Sequence, residues 1–271
     1  MQDSNIITSR DNSRLKRARA VRAGRERSLL FIEGVRLAEE ALRSPIKVTE
    51  TFFTEHFAAS SRGRSLLKDL AAIPTSMYQV GDQLFDSISD TNSAQGILLL
   101  AERPLFAGPE LAVTKECQTP IVLLHQVNTP SNLGAIIRTA EAAGVPQLIL
   151  TSGSADPFSP KSLRASMGSA FRVPIITGAT FDQLITLARS NGLAVTGSDI
   201  SGTTTYTDVD WTVPRLIIFG SEAHGLSEDE KACIDDLITI PMDEPVESLN
   251  LAVAAGIILF EAARQLRQLP A

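Results

Sequence analysis

Apolar positions along the first hundred residues fall into short runs separated by amphipathic stretches. Arg14 to Gly24 is polar and basic with few Gly or Pro interruptions, which predicts a helix. Ser28-Leu-Leu-Phe-Ile32 is a short apolar run suited to a strand, followed after Gly34 by a helical stretch from Val35 to Leu42. Val48 to Phe53, rich in Thr and Phe, reads as a strand, and Ser65 to Ala72 as a helix. Met77 to Val80 and Gly96 to Leu100 are further strands. Such alternation over residues 1–101 predicts a small α/β domain with its own core.

Residues 102–119 break the pattern. They contain Pro104, Gly108 and Pro109, and Pro120 follows; the little periodicity they show marks a linker. From 120 to 271 the pattern is more regular. Strands are expected at Ile121 to Leu124, Gln147 to Leu150, Ala194 to Gly197, Leu216 to Phe219 and Leu237 to Ile240. Helices are expected at Leu133 to Gly144, Phe181 to Ser190, Glu228 to Ile234 and Ser248 to Leu266. Short, fully apolar strands separated by helices predict a mostly parallel sheet buried on both faces.

Composition sharpens this picture in three places. The chain of 271 residues suggests about two domains at roughly 150 residues each. Two cysteines, Cys117 and Cys233, cannot form a disulfide framework, and three scattered histidines give no metal-ligand spacing, so no metal is expected. The longest apolar run, Leu251 to Phe260, is half of the roughly 20 residues that a membrane span needs. With no secretory signal visible in MQDSNIITSR, a cytoplasmic protein without membrane partners is expected.

Charge is unevenly spread. The net charge of −6 conceals a head of 30 residues with eight Arg or Lys against three acids, a net +5 that leaves −11 for the remainder. A basic head on an acidic body points to an anionic partner at one end.

The familiar nucleotide signatures are missing: no GxxxxGK[ST], no GxGxxG after a strand, no GxSxG. Three loops at expected strand ends stand out instead, where ligands of α/β sheets sit. Asn128 to Ala140 follows the first strand; Ser131 or Asn132 can cap its helix, and Gly134 permits close approach. On that helix Leu133, Ile136, Ile137, Ala140 and Gly144 share one face, while Arg138 stands opposite between Ala135 and Ala142. Arg138 is either an ordinary surface arginine or one that the small residues let another chain or a ligand approach. The second loop, Ile217 to Ser227, brackets Glu222 between Gly220 and Gly225. The third, Ile240 to Ala252, offers Ser248 as an N-cap and Asn250 as an amide that needs partners.

Taken together, these loops resemble the three motifs of the SpoU (TrmH-like) RNA ribose 2′-O-methyltransferases of the SPOUT superfamily. The matching residues are Asn132, Gly134 and Arg138; Gly220, Glu222 and Gly225; and Ile240-Pro241-Met242 with Ser248-Leu249-Asn250. Arg164-Ala-Ser-Met-Gly-Ser169 and Phe171 are similar to a stretch lying between the family's first two motifs. Asn12, Lys16, Phe31-Ile-Glu-Gly34 and Glu40-Ala41-Leu42 are similar to its substrate-binding domain.

The resemblance implies a C-terminal SPOUT domain with a trefoil knot, preceded by a ribosomal-protein-like α/β domain that binds RNA. It implies S-adenosyl-methionine as cofactor, held by Gly220, Ile240 and Leu249 with Thr196 as an addition, and a homodimer with its active site at the subunit interface. Asn132, Arg138, Glu222, Ser248 and Asn250 match the catalytic group, whereas Ala252 stands where many relatives carry Ser. The basic head, with Arg10, Arg14, Lys16, Arg17 and Arg19, then tracks RNA phosphates. The expected acceptor is rRNA. The alternatives are tRNA, or a catalytically silent RNA-binding or ribosome-assembly factor of the same fold.

Overall fold

The structure is a computed structural model that describes residues 6–104 and 119–268. The chain divides into two compact units, Met1–Leu105 with Phe158–Arg172, and Phe106–Pro157 with Val173–Ala271. Most of the expected 102–119 linker lies outside the described residues, and Glu102 ends a strand. The division differs from a single cut there, because 158–172 belongs to the first unit.

In the first unit the elements run β1 (Ile6–Ile7), α1 (Ser13–Arg22), β2 (Leu29–Glu33), α2 (Val35–Leu42), β3 (Val48–Phe53), α3 (Glu55–Ala59), α4 (Ser61–Ala71), β4 (Ser76–Val80), α5 (Asp82–Ile88) and β5 (Ile97–Glu102). The sheet order is β1-β4-β3-β5-β2. Strands β3 and β4 pair in parallel, while β5 runs antiparallel to both β2 and β3. Leu15, Ala18 and Val21 of α1 meet Phe31, Phe52, Leu98 and Leu100 of the sheet in one core. Spacing of three along α1 puts those residues on one face and leaves the intervening arginines outside.

The second unit contains β6 (Ile121–Leu124), α6 (Pro130–Ala143) and β7 (Leu148–Thr151), while α7 (Pro160–Ser166) returns to the first unit and packs on β2. Then follow β8 (Ile175–Ala179), α8 (Phe181–Ser190), β9 (Ala194–Ser198), β10 (Thr204–Thr205), β11 (Arg215–Phe219), α9 (Glu228–Lys231), β12 (Asp236–Thr239) and α10 (Leu251–Arg267). Seven strands form one sheet in the order β10-β12-β9-β11-β6-β7-β8, and every pairing is parallel. All residues of β6, β7 and β11 are buried, as strands covered on both faces must be.

Register positions the site. Phe219 pairs with Leu124 on one side and with Ser198 on the other, and Ser198 pairs with Ile238. The carboxyl ends of β6, β11, β9 and β12 are therefore nearly flush, and their loops leave from one edge. Strand order also reverses here, since β6 is followed outward by β7 and β8 while β11 and β9 lie on its other side. Crevices at such a reversal are where open α/β sheets take ligands.

Candidate active site

The loop after β11 closes on itself. Ser221 N–H donates to the Gly225 carbonyl at 3.1 Å and Gly225 N–H to the Ser221 carbonyl at 3.0 Å. A Cβ on Gly220 would stand 2.4 Å from the Gly225 carbonyl group, so no larger residue fits. Glu222 rides on the tip of this turn and reaches the start of α6. Its carboxylate accepts from the N–H groups of Asn128 (3.0 Å) and Thr129 (3.1 Å) and from Asn132 Nδ2 (3.2 Å).

The expected caps are corrected at both helices. Thr129 is the N-cap of α6 and makes no side-chain capping bond, with Pro130 opening the helix. The Glu222 carboxylate from a neighbouring loop satisfies N–H groups there, where negative charge also suits the helix dipole. At α10 the N-cap is Asn250, not Ser248, and its Oδ1 accepts from Ala252 N–H at 2.9 Å. Asn250 is exposed rather than buried in this chain. Gly144, expected on the buried face of α6, is its exposed left-handed C-cap.

Asn250 Nδ2 donates to Asn132 Oδ1 at 3.0 Å. A directional relay results, from Asn250 to Asn132 to Glu222. Because a carboxylate only accepts, it fixes the Asn132 amide orientation, which in turn fixes that of Asn250. Burial alone would raise the Glu222 pKa, but the hydrogen bonds from Asn128, Asn132 and Thr129 outweigh it and hold the carboxyl below its usual range.

Beside the relay lies a cavity of about 480 Å³, lined by residues from the ends of β9, β11 and β12, by Asn132 of α6 and by the start of α10. Ser198, Asp199 and Ile200 come from the β9 end, Gly220 to Gly225 from the β11 turn, and Ile240, Met242, Ser248 and Leu249 from beyond β12. Small-molecule sites fall in this size range and mix apolar walls with a few polar groups.

With this geometry in view, the comparisons are specific. Residues 119–260 match the SpoU rRNA Methylase family, and residues 12–99 match the MRM3-like substrate binding domain. The chain belongs to the SpoU rRNA methylase family. It is 30% identical to an uncharacterised tRNA/rRNA methyltransferase of Synechocystis, over 96% of this chain and 93% of the relative. It is 28% identical to the 23S rRNA (guanosine(2553)-2′-O)-methyltransferase RlmP of Bacillus subtilis, over 94% of this chain and 97% of that one. Its structure resembles the SpoU methyltransferase AviRb of Streptomyces viridochromogenes, solved with AdoMet. That match has a TM-score of 0.83 at 29% identity and covers 95% of this chain and 99% of the other.

Within this SpoU chain the motif residues divide into two sets. Asn132, Glu222 and Asn250 are hydrogen-bonded to one another, and Gly220, Ile240, Ser248 and Leu249 line the same cavity. Arg138 stands apart. Six positions beyond Asn132, it is displaced by about 9 Å along the helix axis and roughly a third of a turn around it. It is exposed and makes no side-chain hydrogen bond or ion pair among the described residues. Thr196 is also removed from the cavity: fully buried in β9, its hydroxyl accepts from Arg215 at 2.9 Å. It serves a buried cluster in which Arg215 also pairs with Asp236. The residues there that line the cavity are Ser198 at the strand's end and Asp199 just beyond it.

The basic head is partly spent inside the first unit. Arg17 pairs with Glu26 and Glu50 at 2.9 and 3.0 Å, which raises its pKa, chiefly through the Glu26 hydrogen bond. Arg14 lies 3.6 Å from Glu50 and over the Tyr78 ring, and Arg19 donates to the Arg10 carbonyl. Among the described residues Lys16 pairs only with exposed Asp11. Sequence reasoning missed Asp199, Lys231 and His224 in the cavity wall. Position just beyond a buried strand was the available signal for Asp199.

Proposed function

We propose that this chain methylates a ribose 2′-hydroxyl of structured RNA, an rRNA in the first instance, with S-adenosyl-methionine as donor. The observation that carries the reading is the Asn250–Asn132–Glu222 relay on the rim of a cavity at the sheet's carboxyl edge. Its lining suits the cofactor. Ile200, Ile240, Met242 and Leu249 offer apolar surface to an adenine, and two carboxylates, Asp199 and Glu222, suit a cation. When bound, S-adenosyl-methionine supplies a methyl group activated by a positively charged sulfur.

What remains for the protein is to align the ribose and stabilise charge as its hydroxyl becomes a nucleophile. We assign Arg138 to the ribose. A guanidinium offers donors and no acceptor, so it acts by donating to a phosphate or to the developing 2′-alkoxide, and the hydroxyl proton passes to solvent water. Glu222, Asn132 and Asn250 hold the three motif loops in register, and Ser248 completes the rim.

Because Arg138 is exposed and joins none of these groups within its own chain, the reading includes a homodimer. In it, Arg138 of one protomer serves the relay of its partner. Val253 and Phe260, seven positions apart on one stripe of α10, are exposed apolar residues for that second copy to cover. A trefoil knot, a separate RNA-binding domain ending before the linker and a cytoplasmic location belong to the same reading. Among the described residues no helix is long and apolar enough to cross a membrane.

Calorimetry with S-adenosyl-methionine, run on the wild type and on Arg138→Ala alongside single-turnover methyl transfer, tests the proposal. We expect equal cofactor affinity and lost transfer in the variant. Unchanged transfer removes Arg138 from the mechanism, and a protein that binds RNA but no cofactor is the silent assembly factor instead.

A further inference from the structure

Asp199 follows β9 directly and lies in the cavity wall with its side chain only 8% exposed. Its two oxygens have different surroundings. Oδ1 accepts from Ser201 N–H at 2.9 Å and Ser201 Oγ at 2.6 Å, and Lys231 Nζ stands 3.3 Å away. Oδ2 faces the β11 turn at Gly225, where a Cβ would stand 3.3 Å from it. Gly225 has φ +62°, so a side chain there would be strained as well as crowded. A glycine at that point keeps the space beside Oδ2 clear. Ser201 and Lys231 thus anchor the carboxylate from behind through one oxygen and leave the other for the cavity.

An anchored, ionised carboxylate at the carboxyl end of a parallel strand is an acceptor for paired hydroxyl donors. Its pKa is held low: burial would raise it, but the Ser201 hydrogen bonds and Lys231 outweigh that. Glu222, the other carboxylate in the wall, has both oxygens engaged by Asn128, Thr129 and Asn132. Asp199 is therefore the acidic group free to meet a ligand.

We propose that Asp199 reads the ribose hydroxyls of the adenosyl group, as the specificity residue for a nucleoside-type cofactor in this cavity. The inference rests on the cofactor reading above and adds which part of the ligand is recognised, and by what. Its rival within the same cavity is recognition of the cofactor's amino acid ammonium by the same carboxylate.

Calorimetric titration of the full chain with S-adenosyl-homocysteine, its 3′-deoxyribose and 2′-deoxyribose analogues, and 5′-methylthioadenosine separates the cases. In the wild type, loss of at least one hydroxyl weakens binding roughly ten- to hundredfold, the span for a hydrogen bond to a charged acceptor. In Asp199→Asn the intact ligand loses a similar factor, while the deoxy analogue sensitive in the wild type loses little more. Methylthioadenosine, which lacks the ammonium, weakens in the variant by the same factor as the homocysteine ligand.

Deoxy analogues that bind the wild type as tightly as the intact ligand overturn the proposal without any variant. Equal loss for intact and deoxy ligands in Asp199→Asn reduces the residue to a support for Lys231. Insensitivity of methylthioadenosine to the substitution assigns Asp199 to the ammonium. Failure of every ligand to bind the wild type defeats the cofactor reading itself, a different result from any of these.

Discussion

Replacing Glu222 with Gln tests whether the carboxylate clamps the start of α6. The glutamine keeps the size but offers one acceptor oxygen and an amide whose hydrogens face the N–H donors of Asn128 and Thr129. Three hydrogen bonds end on Glu222. A bond to a charged acceptor contributes about 1.5–3 kcal/mol, but Glu222 is exposed and water competes. About 0.5 kcal/mol each is the appropriate scale, so we expect a loss of about 1–2 kcal/mol.

At about 2–4 °C per kcal/mol for a chain of this size, the unfolding midpoint should fall by several degrees at pH 7. The pH dependence has a definite sign. Because the folded carboxyl titrates below its unfolded value of 4.5, its stabilisation is fully present above that value and is lost as pH falls through the folded pKa. The gap between wild type and Glu222→Gln should be constant from pH 7 to about 5 and close as pH drops further. Thermal melts followed by circular dichroism at matched ionic strength read this directly. A gap that persists or widens towards pH 3.5 would refute the clamp.

Other expectations follow from the same geometry. In the proposed homodimer, mixing Arg138→Ala with Glu222→Ala, each expected to be inactive alone, should restore transfer at roughly a quarter of sites after random subunit exchange, since half the dimers would be mixed and each would have one intact site. No recovery despite verified exchange would place Arg138 in its own protomer's site. Asn250→Asp sets a carboxylate against Asn132 Oδ1, which becomes unpaired or flips; turnover should drop at least about tenfold while cofactor affinity, read by calorimetry, changes little. Arg215→Met leaves the buried Thr196 hydroxyl and the half-exposed Asp236 without their donor, and urea unfolding should show a loss of about 1–2 kcal/mol. Arg17→Met should lower stability yet leave RNA affinity nearly intact, whereas Arg10→Ala and Lys16→Ala should weaken RNA binding and flatten its salt dependence, as measured by filter binding at several salt concentrations.

Most sheet strands were legible because each is a short apolar run. Val35–Leu42 and Phe181–Ser190 match the expected helices to the residue, since amphipathic periodicity defines both. Ile175–Ala179 was not among the expected strands, and α5 escaped because Asp82, Asp86 and Ser87 leave little periodicity. Caps proved harder. Ser248 has the chemistry of an N-cap, but Asn250 wins because its amide caps α10 and bonds Asn132 at once, a tertiary contact no local window contains. The site showed the same limit. Motif residues were readable one loop at a time, but their division into a relay and an isolated Arg138 depends on strand register. Thr196 lies in β9 and Asp199 just beyond its end, three positions on, and burial tells the core residue from the cavity residue. The arginines of α1 looked uniformly available until Glu50 and Glu26 were placed against Arg17.

The most direct test is methyl transfer itself. The purified chain, S-adenosyl-methionine labelled in its methyl group, and rRNA or tRNA from cells lacking this gene are incubated together. The RNA is then digested and its nucleosides resolved by mass spectrometry. Ribose methylation by this chain predicts label in one 2′-O-methylated nucleoside of rRNA, absent with Arg138→Ala. Label on a base, or none in either RNA pool, would contradict it.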